Sequence, residues 1–498
     1  MLFNSYTFIV FFIIMLVLHN LAPFTWKTKK INLLIASYLF YAAWNPPFIL
    51  LLWLSTVVDF FVGRALYRQE NLTKRKFLLV LSLIGNLGML CFFKYGGFLL
   101  ENFVALCNMA GLEFHPAKPN IILPAGISFY TFTTLCYTID MYKRKSEPVR
   151  SLLDFSLFVT FFPHLVAGPI VRPPQLVPQF ETPRTGNRTQ VSQGLLLVTL
   201  GLFMKVVLAD GMLSSTADFV FSNPQPLNTL DAWMGVLAFS GQIFFDFAGY
   251  STCAIGVASC LGFVLPENFR YPYAAIGFSD FWKRWHITLS AWLRDYLYIP
   301  LGGNRRGEIR TYINLMLTML LGGLWHGASW TFVVWGALHG MYLCIEKLIT
   351  ARPAQKPGIS EELMEEPAPV PVTVASFAPA FMRSKTFNRF LVALLTFFFI
   401  NVTWVFFRAQ DFSTAWRLLT SMFTNVDGGA QILSGLSIWK VSIIITFTFA
   451  LHWIMRNSRV TEVAAKMPWW LVGTIWAGML TLIMLSQESS SSFIYFQF

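Results

Sequence analysis

The sequence predicts an all-α membrane protein that crosses the bilayer about ten to twelve times. Of its 498 residues, 55% are hydrophobic and only 12% are charged, whereas soluble globular chains carry roughly 25% charged residues. Mean hydropathy is +0.56. The chain contains 50 Phe and 17 Trp, and such side chains fill membrane bundles and gather at their interfaces. A soluble fold of this size would need more polar surface than this composition supplies.

The basic residues are arranged as in the loops of a membrane protein. Net charge is +12, and Lys and Arg form short clusters between apolar runs, at residues 27–30, 74–76, 143–145 and 305–310. Clusters at the ends of spans indicate cytoplasmic loops, so we expect membrane lipid as a partner and no nucleic acid. The N-terminus has no basic segment and no small-residue cleavage site. We therefore expect a retained first helix with an extracytoplasmic N-terminus.

The apolar runs are numerous enough to build these crossings, since a membrane-spanning helix needs roughly 20 apolar residues. The candidate spans are 6–24, 31–45, 47–64, 77–95, 121–140, 151–167, 194–221, 232–263, 311–326, 328–349, 388–407, 438–455 and 469–486. Several of these runs are short or interrupted. We therefore expect re-entrant and interfacial helices beside the true crossings.

One run, residues 161–169, is too broken for a lipid-facing helix. It contains Pro163, His164, Gly168 and Pro169. Proline removes a backbone donor, and lipid offers no replacement partner. Such backbone is tolerated where it packs in protein or lines a wet cavity. The helices are therefore predicted to surround a central funnel, with His164 as a candidate lining and substrate-binding residue.

The chain is predicted to divide into three parts. Residues 351–386 contain repeated prolines and four closely spaced glutamates, a composition typical of a flexible extramembrane linker. The linker separates a transmembrane core with the catalytic funnel at 1–350 from C-terminal transmembrane helices at 387–498. The six cysteines form no CxxC pair. We therefore expect buried free thiols and no bound metal.

The segment 278–310 combines aromatic and basic residues at a membrane boundary. The residues that share one face of a helix, by i, i+3, i+4 spacing, are Trp282, Trp285, His286, Leu289 and Leu293. One interpretation is an interfacial anchor. The functional interpretation is a half-buried helix that presents His286 inward. Trp285 then lies beside the site, and Arg284, Arg294 and Asp295 become candidate substrate-binding residues.

His326 lies inside another apolar run, Leu320-Leu-Gly-Gly-Leu-Trp-His-Gly-Ala. Flanking glycines permit close backbone approach, and Trp325 is a candidate substrate contact. Ionisable groups at membrane depth are costly and are functional candidates by default. A lone histidine can also serve only to bond a neighbouring helix.

The two histidines together favour acyl transfer. Histidine acts as a general base near neutral pH, and transfer of an acyl group to a hydroxyl requires removal of one proton from the attacking oxygen. The second imidazole then orients the first, or donates to the oxyanion or the leaving thiolate. A thioester donor needs no metal for this reaction. We rank His326 first as the catalyst, with His286 as its partner, and expect His339 to be structural.

Several motifs resemble those of the membrane-bound O-acyltransferase family. The resemblance is to the bacterial branch with alginate O-acetyltransferase, the membrane subunit of peptidoglycan O-acetylation and the D-alanyl exporter of teichoic acids. The similar segments are 281–286, Ser290, 292–296, 301–304 and 322–328, with support from 123–130, 162–164, 167–169 and 244–247. The similarity runs over about residues 1–349, and more thinly over 388–410.

One departure from the family pattern concerns a carboxylate. Where relatives often have Tyr-Ser-Asp, this chain has Tyr250-Ser251-Thr252. Any role that this carboxylate has in the relatives therefore cannot be assigned to Thr252. The nearby Asp246 remains a candidate substrate-binding residue.

The resemblance implies the fold of the family, with His326 at its active-site histidine and His286 at its second catalytic position. It implies a membrane O-acyltransferase of the bacterial inner membrane, without a bound cofactor. Acetyl is the favoured acyl group, and acetyl-CoA or another cytoplasmic thioester is the implied donor. The implied acceptor is an extracytoplasmic polysaccharide of the alginate, cellulose or peptidoglycan type. A separate periplasmic SGNH-type acetyltransferase is the implied partner.

Two alternative functions stay open at this stage. One is D-alanyl transfer to teichoic acid from a carrier-protein thioester. The other is a transporter that performs no catalysis.

Overall fold

The computed structural model describes residues 1–117, 119–350, 385–424 and 428–486. These residues form helices joined by turns and loops, with an isolated β-bridge between Leu227 and Ala430. The predicted all-α architecture is therefore confirmed. The predicted linker at 351–386 lies outside the described residues, apart from residues 385 and 386, which already belong to a helix.

Most of the first half of the chain is helical. The helices are α1 (Tyr6–Leu16), α2 (Trp26–Ala42), α3 (Ile49–Arg68), α4 (Leu72–Leu90), α5 (Gly96–Met109), α6 (Ile127–Tyr142), α7 (Leu152–Thr160), α8 (Pro173–Glu181), α9 (Arg188–Leu202), α10 (Ser215–Ser222) and α11 (Thr229–Cys260). The π-helical segment Cys91–Tyr95 joins α4 to α5, and Phe203–Ser214 joins α9 to α10.

The second half begins with short, broken helices and returns to long ones. The helices are α12 (Phe278–Trp282), α13 (Ile287–Leu293), α14 (Glu308–His326), α15 (Trp330–Thr350), α16 (Lys385–Arg408), α17 (Phe412–Thr424), α18 (Gly435–Met455), α19 (Val460–Lys466) and α20 (Trp469–Leu485). Short 3-10 turns occupy Pro46–Phe48 and Pro272–Ala274.

Within the described residues, seven helices are long and apolar enough to cross a membrane. They are Pro46–Arg68, Leu72–Met109, Arg188–Ser222, Thr229–Cys260, Trp330–Thr350, Thr386–Arg408 and Gly435–Met455. Shorter apolar helices occur at Tyr6–Leu21 and Trp469–Leu485. The chain is thus a multi-pass membrane protein, as its composition predicts.

Helix α11 lies at the centre of the bundle, where it packs against α9, α10, α16, α17 and α18. Glycines allow its close contact with α9. A Cβ on Gly201 would lie 2.5 Å from the carbonyl oxygen of Gly249, and one on Gly256 would lie 2.6 Å from that of Gly194. Small residues let membrane helices approach closely enough to gain dispersion energy without a hydrophobic driving force.

A buried carboxyl group links α3 to its neighbours. Asp59 on α3 accepts hydrogen bonds from Ser82 Oγ at 2.6 Å and from Asn86 Nδ2 at 2.7 Å, both on α4. Thr138 Oγ1 on α6 donates to the same carboxyl at 3.4 Å. An ionisable group at membrane depth is tolerated when polar partners face it. These bonds therefore fix how α3, α4 and α6 pack.

The apolar core consists of two clusters that both include parts of α11. One extends through α1 to α4 and α6 to α8 and contains Phe247 and Trp325. The other extends through α10 to α12 and α15 to α18, and contains Trp335 and Phe407. Since His326 contacts rings of both clusters, it lies where the two halves of the core meet.

Replacement of Gly336 by Ala should loosen the packing of α15 on α14. A Cβ at this position would lie 2.3 Å from the carbonyl oxygen of Met319, so the helices must separate. Overpacking of this kind costs about 1–3 kcal/mol, and the thermal midpoint in detergent should fall. Gly88→Ala is the control, because a Cβ there meets nothing within 4 Å. Equal midpoints for the two variants would contradict this packing.

Candidate active site

His326 is the last residue of α14, and the chain changes direction immediately after it. Its side chain is buried, with 2% exposed. Gly327 follows in an extended conformation, with φ −160° and ψ 152°. A Cβ on Gly327 would lie 2.0 Å from the Phe332 ring. The turn between α14 and α15 therefore needs glycine at this position, and this turn fixes the position of His326.

His286 does not lie within a continuous helix, and this prediction from the sequence was wrong. Helix α12 ends at Trp282 and α13 begins at Ile287. His286 adopts a left-handed conformation, with φ 44° and ψ 54°. Two backbone hydrogen bonds to a distant segment stabilise this break: Arg270 N donates to Arg284 O, and Ile287 N to Asn268 O, each at 2.9 Å.

Asn268 determines which nitrogen of His286 carries the proton. Its Oδ1 accepts hydrogen bonds from Thr288 N at 3.2 Å and Thr288 Oγ1 at 2.8 Å. A backbone N–H only donates, so the amide atom that faces it is the oxygen, which only accepts. His286 Nδ1 lies 3.1 Å from this oxygen and must therefore donate its proton to it. The Nε2 atom of the neutral ring then carries the lone pair.

The lone-pair nitrogen of His286 points into an aromatic enclosure. The His286 side chain is fully buried, and its Nε2 has no hydrogen-bond partner among the residues that the structure describes. The ring centroid lies 4.7 Å from that of Phe247, 6.3 Å from Phe129 and 6.0 Å from Trp325. The Nε2 atom is thus an unused hydrogen-bond acceptor in the interior of the protein.

Trp325 joins the two histidines, as its side chain contacts both imidazoles. Its ring centroid lies 5.0 Å from that of His326 and 6.0 Å from that of His286. Trp335 and Phe407 cover His326 from the other core cluster, at 5.0 and 5.3 Å. The structure therefore brings together His326, His286 and Trp325, which the sequence singles out.

Lys94 also contributes to the site, although it is not among the site residues predicted from the sequence. Its Nζ donates to the carbonyl oxygens of Trp325 at 2.7 Å and His326 at 2.9 Å. The neighbouring Tyr95 hydroxyl donates to the carbonyl oxygen of Leu324 at 2.9 Å. A lysine inside the apolar helix Leu72–Met109 was the available signal, because an isolated charge at membrane depth needs a partner.

Trp285 and Arg284 lie next to His286 in sequence but contact the C-terminal helices. The buried Trp285 ring is 5.0 Å from that of Trp404 on α16. Arg284 Nε donates to Asp280 at 2.9 Å, and its Nη1 donates to the carbonyl oxygen of Arg456 at 3.0 Å. These contacts hold the broken segment against α16 and the end of α18.

Arg294 and Asp295 form an ion cluster with Arg172, from the start of α8. Asp295 lies 2.7 Å from Arg172 Nη1 and 2.7 Å from Arg294 Nε. Burial raises the pKa of the Asp295 carboxyl, but hydrogen bonds from Arg294 and Arg172 outweigh burial and leave the pKa below its ordinary value. The cluster joins the loop before α8 to the segment after α13.

His164 and Asp246 occupy separate positions near the site. His164 is buried in the broken loop before α8, and its ring lies 6.1 Å from that of Phe161. This loop reaches the His286 network through Ile170, whose N donates to Thr288 Oγ1 at 3.0 Å. Asp246 lies 2.5 Å from Lys205 Nζ and directly precedes Phe247, whose ring contacts His286.

Among the described residues, no group of three or more His, Cys, Asp and Glu side chains is arranged to hold a metal ion. The six cysteines are all free. The hydrogen-bond network of His286 contains the Asn268 amide and the Thr288 hydroxyl.

The fold and the site define a multi-pass membrane protein with a buried histidine pair. Residues 138–357 match the membrane-bound O-acyltransferase family. A Pseudomonas putida protein named "Probable alginate O-acetylase AlgI" is 37% identical, with 100% of both chains covered. The chain belongs to the membrane-bound O-acyltransferase family and is an O-acyltransferase.

Two further relatives differ in what their names say they modify. The peptidoglycan O-acetyltransferase of Helicobacter pylori is 38% identical, over 79% of this chain and 73% of its own. The teichoic acid D-alanyltransferase of Streptococcus thermophilus is 27% identical, over 50% of this chain and 63% of its own. Both names describe acyl-group transfer, so the similarity favours an enzyme over a transporter that performs no catalysis.

Asn268→Leu should lower the acyl-transfer rate about 10–100-fold, by analogy with the loss of a hydrogen-bond partner that orients a metal-binding histidine. Leucine cannot accept the His286 Nδ1 proton, so the imidazole loses its fixed tautomer. The measurement is the transfer rate per amount of folded protein in detergent. Asn108→Leu is the control, because Asn108 is exposed near the end of α5. An Asn268→Leu enzyme with an unchanged rate would contradict the assigned tautomer.

Proposed function

We propose that this enzyme O-acetylates an extracytoplasmic polysaccharide of the alginate or peptidoglycan type. The observation that carries the proposal is the buried His286–Trp325–His326 group, in a chain similar over its full length to a protein named for alginate O-acetylation. The relatives named for O-acetylation are 37% and 38% identical, against 27% for the D-alanyltransferase, which matches half of the chain. Acetyl is therefore the favoured group.

The proposed reaction transfers acetyl from a thioester to a hydroxyl. The acceptor oxygen attacks the thioester carbonyl carbon while an imidazole takes its proton. The tetrahedral intermediate then collapses, the carbon–sulfur bond breaks, and the proton passes to the thiolate. The products are an ester and a free thiol, so no redox partner or metal is needed to balance the step. Acetyl-CoA, as a cytoplasmic thioester, is the proposed donor.

His326 is proposed as the base, and His286 supports the charge that His326 acquires. Since Asn268 holds the proton of His286 on Nδ1, the Nε2 atom is available to accept a hydrogen bond from the imidazolium. The proposed role of His286 is that of the fixed acceptor in a catalytic triad, which orients the base. Both side chains are buried, so bulk water is kept away from the thioester.

The proposed direction of transfer is from the cytoplasm to the outside of the inner membrane. The basic clusters between the spans are assigned to the cytoplasm, and the N-terminus to the outside. A polymer outside the membrane is too large to enter a site at this depth. We therefore propose that a periplasmic SGNH-type acetyltransferase receives the acetyl group and completes its transfer to the polysaccharide.

His326→Ala should remove the ester-linked acetate of the envelope polysaccharide. Loss of a general base lowers a rate by about 10²–10⁴-fold. The measurement is acetate released from the polymer by mild base, in a native-host strain whose only copy carries the substitution. The protein level in the membrane is measured beside it. His115→Ala is the control, because His115 is exposed in the loop after α5. Retained acetate at a normal protein level would exclude His326 as the base.

The donor should be acetyl-CoA and not a D-alanyl carrier-protein thioester. Inverted membrane vesicles from the same host are supplied with each labelled thioester, and release of the free thiol and label in the polymer fraction are measured. We expect both signals with acetyl-CoA, and their loss in vesicles that carry His326→Ala. Label transferred only from the D-alanyl carrier protein would favour teichoic acid modification instead.

A further inference from the structure

Lys94 lies in the π-helical segment Cys91–Tyr95, which joins α4 to α5 within the candidate membrane-spanning helix Leu72–Met109. In the sequence it is the only charged residue between Lys76 and Glu101. A charged side chain at membrane depth is costly and almost always faces a polar partner inside the protein. Here the partners are carbonyl oxygens at the end of α14.

The end of α14 needs donors of this kind. The last carbonyl groups of a helix have no partner within the helix, and the partial negative charge there attracts cations. Lys94 Nζ donates to the carbonyl oxygens of Trp325 and His326, at 2.7 and 2.9 Å. Tyr95 donates to that of Leu324 at 2.9 Å. Adjacent residues of one segment thus bind consecutive carbonyl groups.

These bonds act on the residues that carry the candidate chemistry. The ammonium nitrogen also lies 5.7 Å from the centre of the Trp325 ring, within the range of a cation–π contact. Trp325 in turn contacts both imidazoles. Gly327, directly after His326, is extended. No further helical turn of α14 therefore follows the histidine to hold it in place.

We propose that Lys94 is a positioning residue for the acyl transfer: its ammonium group fixes the end of α14 and thereby the orientation of the His326 imidazole. The inference rests on the proposed function for its kinetic part. Hydrogen bonds from a cation are about twice as strong as neutral ones. The positive charge therefore strengthens the hydrogen bonds to the end of α14, and a neutral side chain of similar size restores only part of this effect.

Lys94→Met should lower kcat about 10²-fold, the effect of displacing a catalytic group by roughly 1 Å. The KM for acetyl-CoA should change less than about threefold, because Lys94 holds the base and not the donor. Lys94→Gln, which keeps a neutral donor, should be intermediate, and Lys94→Arg, which keeps the charge, should recover most of the rate. Rates are referred to the folded fraction, measured by size-exclusion chromatography in detergent.

Phe92→Leu is the matched control for damage to the π-helical segment. Phe92 lies two residues away on the same segment and is 60% exposed, so its replacement should leave kcat unchanged. A merely structural role of Lys94 predicts fewer folded molecules with a normal kcat. That result, or Lys94→Met with a wild-type kcat, would overturn the inference and leave the proposed function intact.

A second measurement does not depend on activity. Amide hydrogen exchange in a peptide that covers residues 322–330 should be faster in Lys94→Met than in wild type, and close to wild type in Lys94→Arg. If wild-type protein transfers no acetyl group, the proposed function fails, and exchange still tests the contact with α14. Unchanged exchange in Lys94→Met would show that Lys94 does not hold this helix end.

Discussion

Every polar backbone group that is buried in a membrane must find its partner inside the protein. This constraint governs the candidate site, because both histidines lie where a helix ends or breaks. The carbonyl groups at the end of α14 receive donors from Lys94 and Tyr95. The break at His286 is closed by backbone bonds to the segment around Asn268. The interrupted helices are tolerated only because these partners form hydrogen bonds with the free backbone groups. The residues that supply these bonds therefore also orient the imidazoles.

The same constraint explains why the site lies at the junction of the two core clusters. A helix end that projects into lipid would leave its carbonyl groups unsatisfied, whereas at the junction it lies against the π-helical segment Cys91–Tyr95 and against side chains of α6, α15 and α16. Close helix packing makes the junction narrow: Gly323 and Gly336 let α14 and α15 touch through their backbones. Aromatic rings from both clusters then fill the space around His326. Close packing and the hydrogen bonding of the backbone therefore constrain the same side chains around His326.

The sequence alone predicts the fold class and singles out His326 as a candidate catalyst, but it does not predict the break in the helix at His286. Composition decides the all-α membrane architecture, because only helices and closed barrels satisfy backbone groups in lipid. His326 is found because an ionisable residue in an apolar run is rare. The i, i+3, i+4 spacing around His286 persists through the break, and periodicity reports the spacing of side chains and not the backbone angles. The left-handed angles at His286 depend on bonds to Asn268 and Arg270, which are distant in sequence.

Burial of both imidazoles has a chemical consequence for a thioester-using enzyme. Water competes with any hydroxyl acceptor, so a site that excludes it protects the acyl group from hydrolysis. With His286 at 0% and His326 at 2% exposure, donor and acceptor reach the pair only after covering side chains move. The rings of Trp325, Trp335 and Phe407 lie against His326, and Phe407 is itself buried against Phe332 and Trp335. The rings that keep water from this imidazole are therefore also the ones that a donor must displace to reach it.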